Sequence, residues 1–318
     1  MIRGILAGMT WAVETVVLGI ALGMSPFLAT EQAILLAPFV STFLHDACSA
    51  LFMFIYNAVR GNLKGLFGVC RTRDFKWLVL ASAIGGPIGM TGYVLAVNYL
   101  GASVGAVASA VYPAIGTALA YVFLKEKVKW YQWIFLAMTL LGVFGLSYSP
   151  DLNVKNFWLG LLGAFMCAFG WGIEAVILAK CLKDDSIKTE YALNIRQTVS
   201  ALIYGVIILP ILGGWDLTVD LFTQGTGMLI PTVAIAALAA TVSYLFYYSA
   251  IGRLGASKAM ALNITYTAWA ILFTVIILRD LSVLKPFTLL CAGVIVVCGI
   301  FAATDLKVLF AKRAKHKD

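Results

Sequence analysis

Charged residues are scarce in this sequence. Only 12% of its 318 residues are Asp, Glu, Lys or Arg, whereas 62% are hydrophobic and the mean hydropathy is +0.95. Soluble domains carry about 25% charged residues, which keep their surfaces hydrated. A surface built from this composition would be mostly apolar and would aggregate in water. The composition therefore excludes a soluble globular domain and indicates a membrane protein.

Signatures of catalysis and of cofactors are missing as well. The sequence contains no Cys-x-x-Cys pair, no zinc-ligand spacing and no phosphate-binding loop, so we expect no metal, no other cofactor and no use of ATP. Residues 101–105 read Gly-x-Ser-x-Gly, but a hydrolase needs this motif between a strand and a helix, with a histidine partner. The net charge of +8 lies in short loops, so it does not predict nucleic-acid binding. We predict that the protein is not an enzyme and has no catalytic residues.

Long apolar runs, by contrast, are abundant. They do not alternate with period two as the strands of a membrane barrel do, and several exceed the length of about 20 residues with which a helix crosses the bilayer core. We therefore predict an all-α polytopic membrane protein with ten transmembrane helices. The predicted spans are residues 4–24, 33–56, 77–97, 102–124, 129–148, 158–180, 192–212, 226–250, 256–278 and 285–304.

Lys and Arg are distributed very unevenly between the loops. If the N-terminus is inside, nineteen of them face the cytoplasm, three (Lys155, Arg279 and Lys285) lie outside, and Arg196 lies within a span. Positive charge in short loops marks the cytoplasmic side. We therefore predict that both termini are cytoplasmic, with a basic tail after Phe310 near anionic lipid.

The sequence also repeats itself. YVLAVNYLGAS at residues 93–103 aligns with YYSAIGRLGAS at 247–257, an offset of 154 residues. Two halves of five helices each must insert in opposite orientations, because an odd number of crossings ends on the far side. We predict two inverted five-helix repeats, at residues 1–150 and 151–318. Inverted repeats of this kind place a transport site near the bilayer midplane.

Trp-x-x-Glu occurs once in each half, inside an apolar run. Trp11 and Glu14 lie in the first predicted span, and Trp171 and Glu174 lie in the sixth. Residues three apart share one face of a helix, and these tryptophans lie too deep for an aromatic belt at the membrane surface. A carboxylate at that depth usually faces a cavity or a polar partner. Beside an aromatic face it attracts a cation, especially a quaternary ammonium, and its burial favours proton exchange.

A second aromatic set lies at helical spacing on spans four, eight and nine, and its members are Tyr112, Tyr244, Tyr247, Tyr248, Asn263, Tyr266 and Trp269. The offset of 154 carries Tyr112 onto Tyr266, which favours a shared role over separate packing roles. Aromatic rings from both halves would then enclose a choline-like head group as a cage. The predicted substrate-binding residues are Trp11, Tyr112, Trp171, Glu174, Tyr247, Asn263, Tyr266 and Trp269.

Polar residues inside the second and seventh spans complete the candidate set. An offset of 151 pairs His45 with Arg196 and Asp46 with Gln197. Charges inside a membrane usually pair with one another, so Arg196 could pair with Asp46 or Glu174, or the group could relay protons with help from His45. Both interpretations stay open. The predicted charge and proton-coupling network is Glu14, His45, Asp46, Glu174, Arg196 and Gln197.

Short strings distributed over both halves resemble a known family. They are GGPIGM (85–90), SAVYPA (109–114), CAFGWGIE (167–174), NIRQ (194–197), SYLFYYSAI (243–251) and LNITYTAW (262–269). With the inverted halves and the Gly-Ala-Ser helix starts, they resemble the EamA-like drug/metabolite transporter (DMT) superfamily, and within it the bacterial choline importers of the LicB type. One departure is Glu14, whose position need not be acidic in that family.

The resemblance implies proton-coupled choline uptake by alternating access in the bacterial cytoplasmic membrane, with Glu174 supplying the anionic charge. The partners would be a small choline-like cation, H⁺ and the lipid bilayer, with no nucleic acid; a homodimer is possible. The main alternative is a metabolite or drug exporter of the same superfamily, because inverted repeats do not set a direction. An intramembrane enzyme and a receptor without transport activity are the more distant alternatives.

Overall fold

The computed structural model describes residues 1–101, 105, 107, 109–148, 154–223 and 227–306. Within these ranges the chain is helical and forms no strand, which confirms the all-α class. We number the helices in chain order. They are α1 (Ile2–Leu22), α2 (Glu31–Val59), α3 (Leu63–Val69), α4 (Phe75–Leu100), α5 (Tyr112–Phe123), α6 (Trp130–Ser147), α7 (Phe157–Cys181), α8 (Thr189–Leu212), α9 (Gly214–Thr223), α10 (Leu229–Leu254), α11 (Ala256–Leu278) and α12 (Pro286–Ala303).

Nine of the helices in the described ranges are long and apolar enough to cross a membrane. The exceptions are α3 and α9, which are short connecting helices that the sequence did not predict, and α5. Helix α5 is apolar but has only 12 residues from Tyr112 to Phe123. The predicted fourth span begins ten residues earlier, in a stretch that is only partly described. The boundary at residues 150/151 and the basic tail also lie outside the described residues.

A wide π-helical turn interrupts α4 at Ile84–Ile88. Its sequence, Ile-Gly-Gly-Pro-Ile, explains the turn, because Pro87 has no N–H to donate and its ring displaces the preceding carbonyls. In this protein the Gly85 carbonyl accepts a hydrogen bond from Trp171 of α7, at 3.0 Å.

Glycines bring α7 into close contact with its neighbours. A Cβ atom at Gly163 would lie 2.6 Å from the Gly92 carbonyl of α4, and one at Gly172 would lie 3.0 Å from the Gly116 nitrogen of α5. Lipid is as apolar as the side chains, so membrane helices associate through such close van der Waals packing. Helix α7 therefore lies at the centre of the bundle, in contact with α4, α5, α10 and α11.

Polar side chains gather where α1, α2, α7 and α8 meet. All six residues of the predicted charge network are buried, with exposed fractions of at most 7%. Ionisable groups at such depth are costly unless each one has a partner. The six residues of the network are therefore expected to contact one another in this buried polar centre.

Candidate functional site

Helix α7 seats Trp171 and Glu174 together against the wide turn of α4. The Trp171 indole N–H is held by the Gly85 carbonyl, and a Cβ at Gly85 would overlap the Glu174 carboxylate. Gly85 therefore supplies a backbone acceptor to one residue and space to the other. The wide turn of α4 therefore contacts both residues of the predicted Trp-x-x-Glu face.

A methyl group at Gly85 is expected to destabilise the protein. In the Gly85→Ala variant the Glu174 carboxylate must move, and overpacking of this kind costs about 1–3 kcal/mol. The measurement is the midpoint of thermal unfolding in detergent. Gly19→Ala is the matched control, because Gly19 lies on α1 with nothing within 4 Å of the added Cβ. A Gly85→Ala midpoint equal to that of the control would contradict the proposed contact.

A small cavity of about 50 Å³ lies beside this face. Seven of the eight predicted substrate-binding residues line this cavity. Its lining residues are Trp11, Tyr112, Trp171, Glu174, Ala175, Leu178, Tyr244, Tyr247, Asn263 and Tyr266. The structure thus brings together aromatic residues from both halves of the sequence around one carboxylate.

The rings pack edge to face. Trp11 contacts Tyr244 with ring centroids 4.9 Å apart and Tyr266 at 6.3 Å, and Trp171 contacts Tyr112 at 5.7 Å with an interplanar angle of 89°. This geometry is favoured between aromatic quadrupoles and holds each ring at a defined angle. The cavity wall is therefore ordered and electron-rich.

Asn263 is the polar anchor of this wall. Its amide nitrogen donates to the Tyr112 hydroxyl at 3.1 Å, while its carbonyl oxygen is buried without a hydrogen-bond partner among the described residues. Trp269, in contrast, is not part of the lining. It is half-buried further along α11, and its buried indole N–H has no partner in the same described ranges.

Arg196 of α8 stands at the centre of the charge network. Its Nε donates to Glu174 Oε1 at 3.2 Å, and its Nη1 lies 3.4 Å from Asp46 Oδ2 and 2.6 Å from Gln197 Oε1. The guanidinium carbon also lies 4.9 Å from the centre of the Tyr244 ring. Arg196 therefore joins α7, α2 and the aromatic wall. It pairs with both Asp46 and Glu174, the two carboxylates between which the sequence left the choice open.

The network continues from Asp46 towards α1. Asp46 Oδ1 lies 2.9 Å from His45 Nδ1, and His45 Nε2 lies 3.8 Å from Glu14 Oε1. Glu14 also accepts from the Thr15 hydroxyl at 3.3 Å but does not line the cavity. The two glutamates of the Trp-x-x-Glu motifs thus end one series of charged groups, whose weakest contact is between His45 and Glu14.

Several residues of the site were not among the predicted substrate-binding or charge-network residues. Tyr248 donates to Glu174 Oε1 at 3.2 Å, and Ser49 links Gln197 (2.8 Å) to Thr241 of α10 (2.6 Å). The helical spacing of Tyr244 and Tyr248, four residues apart, placed both in the second aromatic set, although neither was among the predicted substrate-binding residues. The Ser49 and Thr241 hydroxyls carry no comparable signal.

The charges of this network do not cancel. With all three carboxylates ionised against one guanidinium and one imidazole, the formal charge of the network is −2 with a neutral imidazole and −1 with an imidazolium. A surplus charge in a low-dielectric interior is costly. A cation in the cavity or a proton on the network would offset it. The site is therefore suited to binding positive charge.

Comparisons with known proteins agree with this architecture. The EamA-like transporter family matches residues 1–148. Protein LicB of Haemophilus influenzae is 30% identical over 302 residues, which cover 92% of this chain and 95% of that protein. A solved crystal structure superposes with a TM-score of 0.68 at 18% identity, covering 95% of this chain and 96% of the other. The solved structure supports the fold alone.

Proposed function

This chain belongs to the EamA-like transporter family, and on that premise we propose that it imports choline or a related quaternary ammonium compound by proton-coupled alternating access. The observation that carries the proposal is the aromatic cavity with Glu174 in its wall. The resemblance to bacterial choline importers points to the same substrate. In this proposal the ten spans form two inverted repeats in the bacterial cytoplasmic membrane, with both termini inside.

A quaternary ammonium has no N–H group and cannot donate a conventional hydrogen bond. It is recognised instead by the faces of aromatic rings and by a nearby negative charge. The cavity fits this requirement, because the Trp171 N–H is already bound to Gly85 and its ring lines the cavity together with Glu174. Glu174 supplies the charge, and Trp11 and Tyr266 supply further rings.

The cavity must expand to accept the substrate. About 50 Å³ is well below the roughly 300–1,000 Å³ of ordinary ligand pockets. In the proposed cycle the rings from the two halves separate on one side of the membrane, close around the cation, and separate on the other side. The wide turn in α4 lies directly beside Trp171, where such a movement would be absorbed.

Proton coupling follows from the surplus negative charge. Arg196 can offset only one of the two carboxylates that it contacts, Glu174 and Asp46, whereas Glu14 and His45 are 3.8 Å apart and lack a direct hydrogen bond to each other. We place the transported cation beside Glu174 and the coupling proton on the Glu14–His45 end. Each cation would reduce the cost of the buried negative charge, so the two are carried together in one direction.

Uptake of labelled choline into proteoliposomes tests the proposal. With an inward proton gradient we expect accumulation that a protonophore abolishes. Trp171→Ala should reduce uptake at least about tenfold, because a desolvated cation–π contact is worth about 2 kcal/mol, and Trp171→Phe should keep part of the activity. The matched control is Trp158→Ala on the same helix, whose side chain is 75% exposed. An absence of choline uptake in folded, inserted protein would contradict the proposal, and efflux alone would favour an exporter.

A further inference from the structure

A carboxylate outside the buried network ties the two halves of the sequence together. Helix α5 ends at Phe123, and Lys125 follows in the left-handed region with a φ of 54°, so the chain turns sharply. The turn directs Glu126 to the first residues of α11. There its carboxylate accepts the backbone N–H groups of Ala256 at 2.8 Å and Ser257 at 3.1 Å, and also the Ser257 hydroxyl.

The N-terminus of α11 favours a carboxylate at this position. The first N–H groups of a helix lack partners within the helix, and its positive end attracts negative charge. Gly255 precedes α11 with a φ of 88°, and a Cβ there would lie 2.6 Å from Glu126 Oε1. A side chain at this position would therefore be strained and would exclude the carboxylate.

The equivalent position in the other half carries a carboxylate whose described contacts are different. Lys125 and Arg279 have φ angles of 54° and 56° and are 154 residues apart, the offset of the sequence repeat, so Asp280 corresponds to Glu126. Asp280 accepts the N–H of Ser282 at 2.9 Å, and hydrogen bonds from Ser282 lower the pKa of the Asp280 carboxyl. The Asp280 carboxylate thus accepts a hydrogen bond within its own loop.

Burial along α11 shows the same asymmetry. In its first eight residues, Ala256–Asn263, every side chain except that of Lys258 is buried, whereas from Tyr266 to Leu278 only Ala268 is buried. The end of α11 that Glu126 holds is packed into the bundle, and the opposite end is not. The end of α11 that Glu126 contacts lies beside the lysine-rich loops, which mark the predicted cytoplasmic side.

We propose that Glu126 is a latch that closes the cytoplasmic end of the transport path, and that it releases the start of α11 when this end opens. The inference rests on the proposed alternating-access function and adds the residue that controls one of its gates. A pocket of about 290 Å³ adjoins the latch, and Lys127, Lys183 and Lys258 line it together with Glu126. These ammonium groups can receive the carboxylate after release, so opening does not leave it without a partner.

Thiol accessibility tests the latch without any substrate. The reporter is Ala261→Cys, because Ala261 is 2% exposed and lines the pocket beside the latch. It is placed in a Cys70→Ser background, since Cys70 is exposed whereas the other five cysteines are buried or half-buried. A membrane-impermeant maleimide is added to the cytoplasmic face of inside-out vesicles, and the labelling rate is corrected with the same background lacking the reporter.

Glu126→Ala should raise the labelling rate roughly five- to thirtyfold, the effect of losing one to two kcal/mol of capping. Glu126→Gln, which keeps one acceptor oxygen, should give a smaller increase, and Asp280→Ala should leave the rate unchanged. The increase should occur only from the cytoplasmic face. Unchanged rates in both Glu126 variants, or labelling from the outer face, would overturn the proposal.

The result is independent of the substrate assignment. If choline is not transported but Glu126→Ala exposes the reporter, the latch stands and the substrate proposal falls. If choline is transported and the reporter stays protected in the Glu126 variants, the latch falls alone. Should Glu126→Ala not fold, which its thermal midpoint would show, Glu126→Gln and a shortened Glu126→Asp side chain carry the same test.

Discussion

Replacing Glu174 by Gln is expected to reduce choline uptake at least about thirtyfold in protein that still folds. Glu174 is the only carboxylate among the described residues lining the cavity, so its loss removes the charge that holds an ammonium there. Truncating one partner of a desolvated charge pair costs about 2–5 kcal/mol. Folding should suffer less, because the Gln oxygen can still accept from Arg196 Nε, and Arg196 keeps Asp46.

The measurement is initial uptake over a range of choline concentrations. Glu31→Gln is the matched control, since Glu31 is an exposed carboxylate in the first turn of α2. Glu174→Asp should be intermediate, because the shorter side chain keeps the charge but withdraws it from the rings. Uptake by Glu174→Gln at the control rate would refute the assignment and move attention to Glu14.

Replacing Arg196 by Met is expected to cause the largest loss of stability. The substitution leaves Asp46 and Glu174 buried without their cation, and breaking a buried ion pair in this way costs about 3–5 kcal/mol. Arg196→Lys should recover only part of this loss, because one ammonium cannot reproduce the guanidinium fork that contacts Glu174, Asp46 and Gln197. The readout is the thermal midpoint in detergent.

A combined variant separates the two interpretations of the network, which are structural pairing of charges and a proton relay. Arg196→Met with Asp46→Asn and Glu174→Gln removes all three charges and should restore most of the stability while transport stays lost. Arg253→Met, at an exposed position, serves as the control. If Arg196→Met alone unfolded like the control, the ion pairs would not hold the bundle together, and only the relay interpretation would remain.

The sequence located most of the cavity in advance. Deep tryptophans and tyrosines that recur between the halves are rare enough to stand out, and seven of the eight predicted residues line one space. Trp269, which was included for its helical spacing and its place in the family-like string at 262–269, is the exception. It lies only three residues beyond Tyr266, yet the packing of α11 leaves it outside the lining, which spacing within one helix cannot reveal.

Partner choice in the charge network was only half predictable. The position of Glu14, Asp46 and Arg196 inside apolar runs favoured contacts among buried charges. Which carboxylate Arg196 contacts depends on how α2, α7 and α8 are rotated against one another. The structure shows contacts with both Asp46 and Glu174, whereas Glu14 lies beyond His45 at the far end of the series.

The sequence by itself determined that the chain is helical and lies in the membrane, where most spans begin and end, and which charges are buried. These properties are local, because the length of an apolar run, a Gly-Pro turn or a lysine-rich loop acts within a few residues. The tertiary structure alone decided that Gly85 contacts both Trp171 and Glu174, that Tyr248 donates to Glu174, and that Glu126 reaches the start of α11. Those contacts join residues far apart in the chain, and close helix packing sets them to within fractions of an ångström.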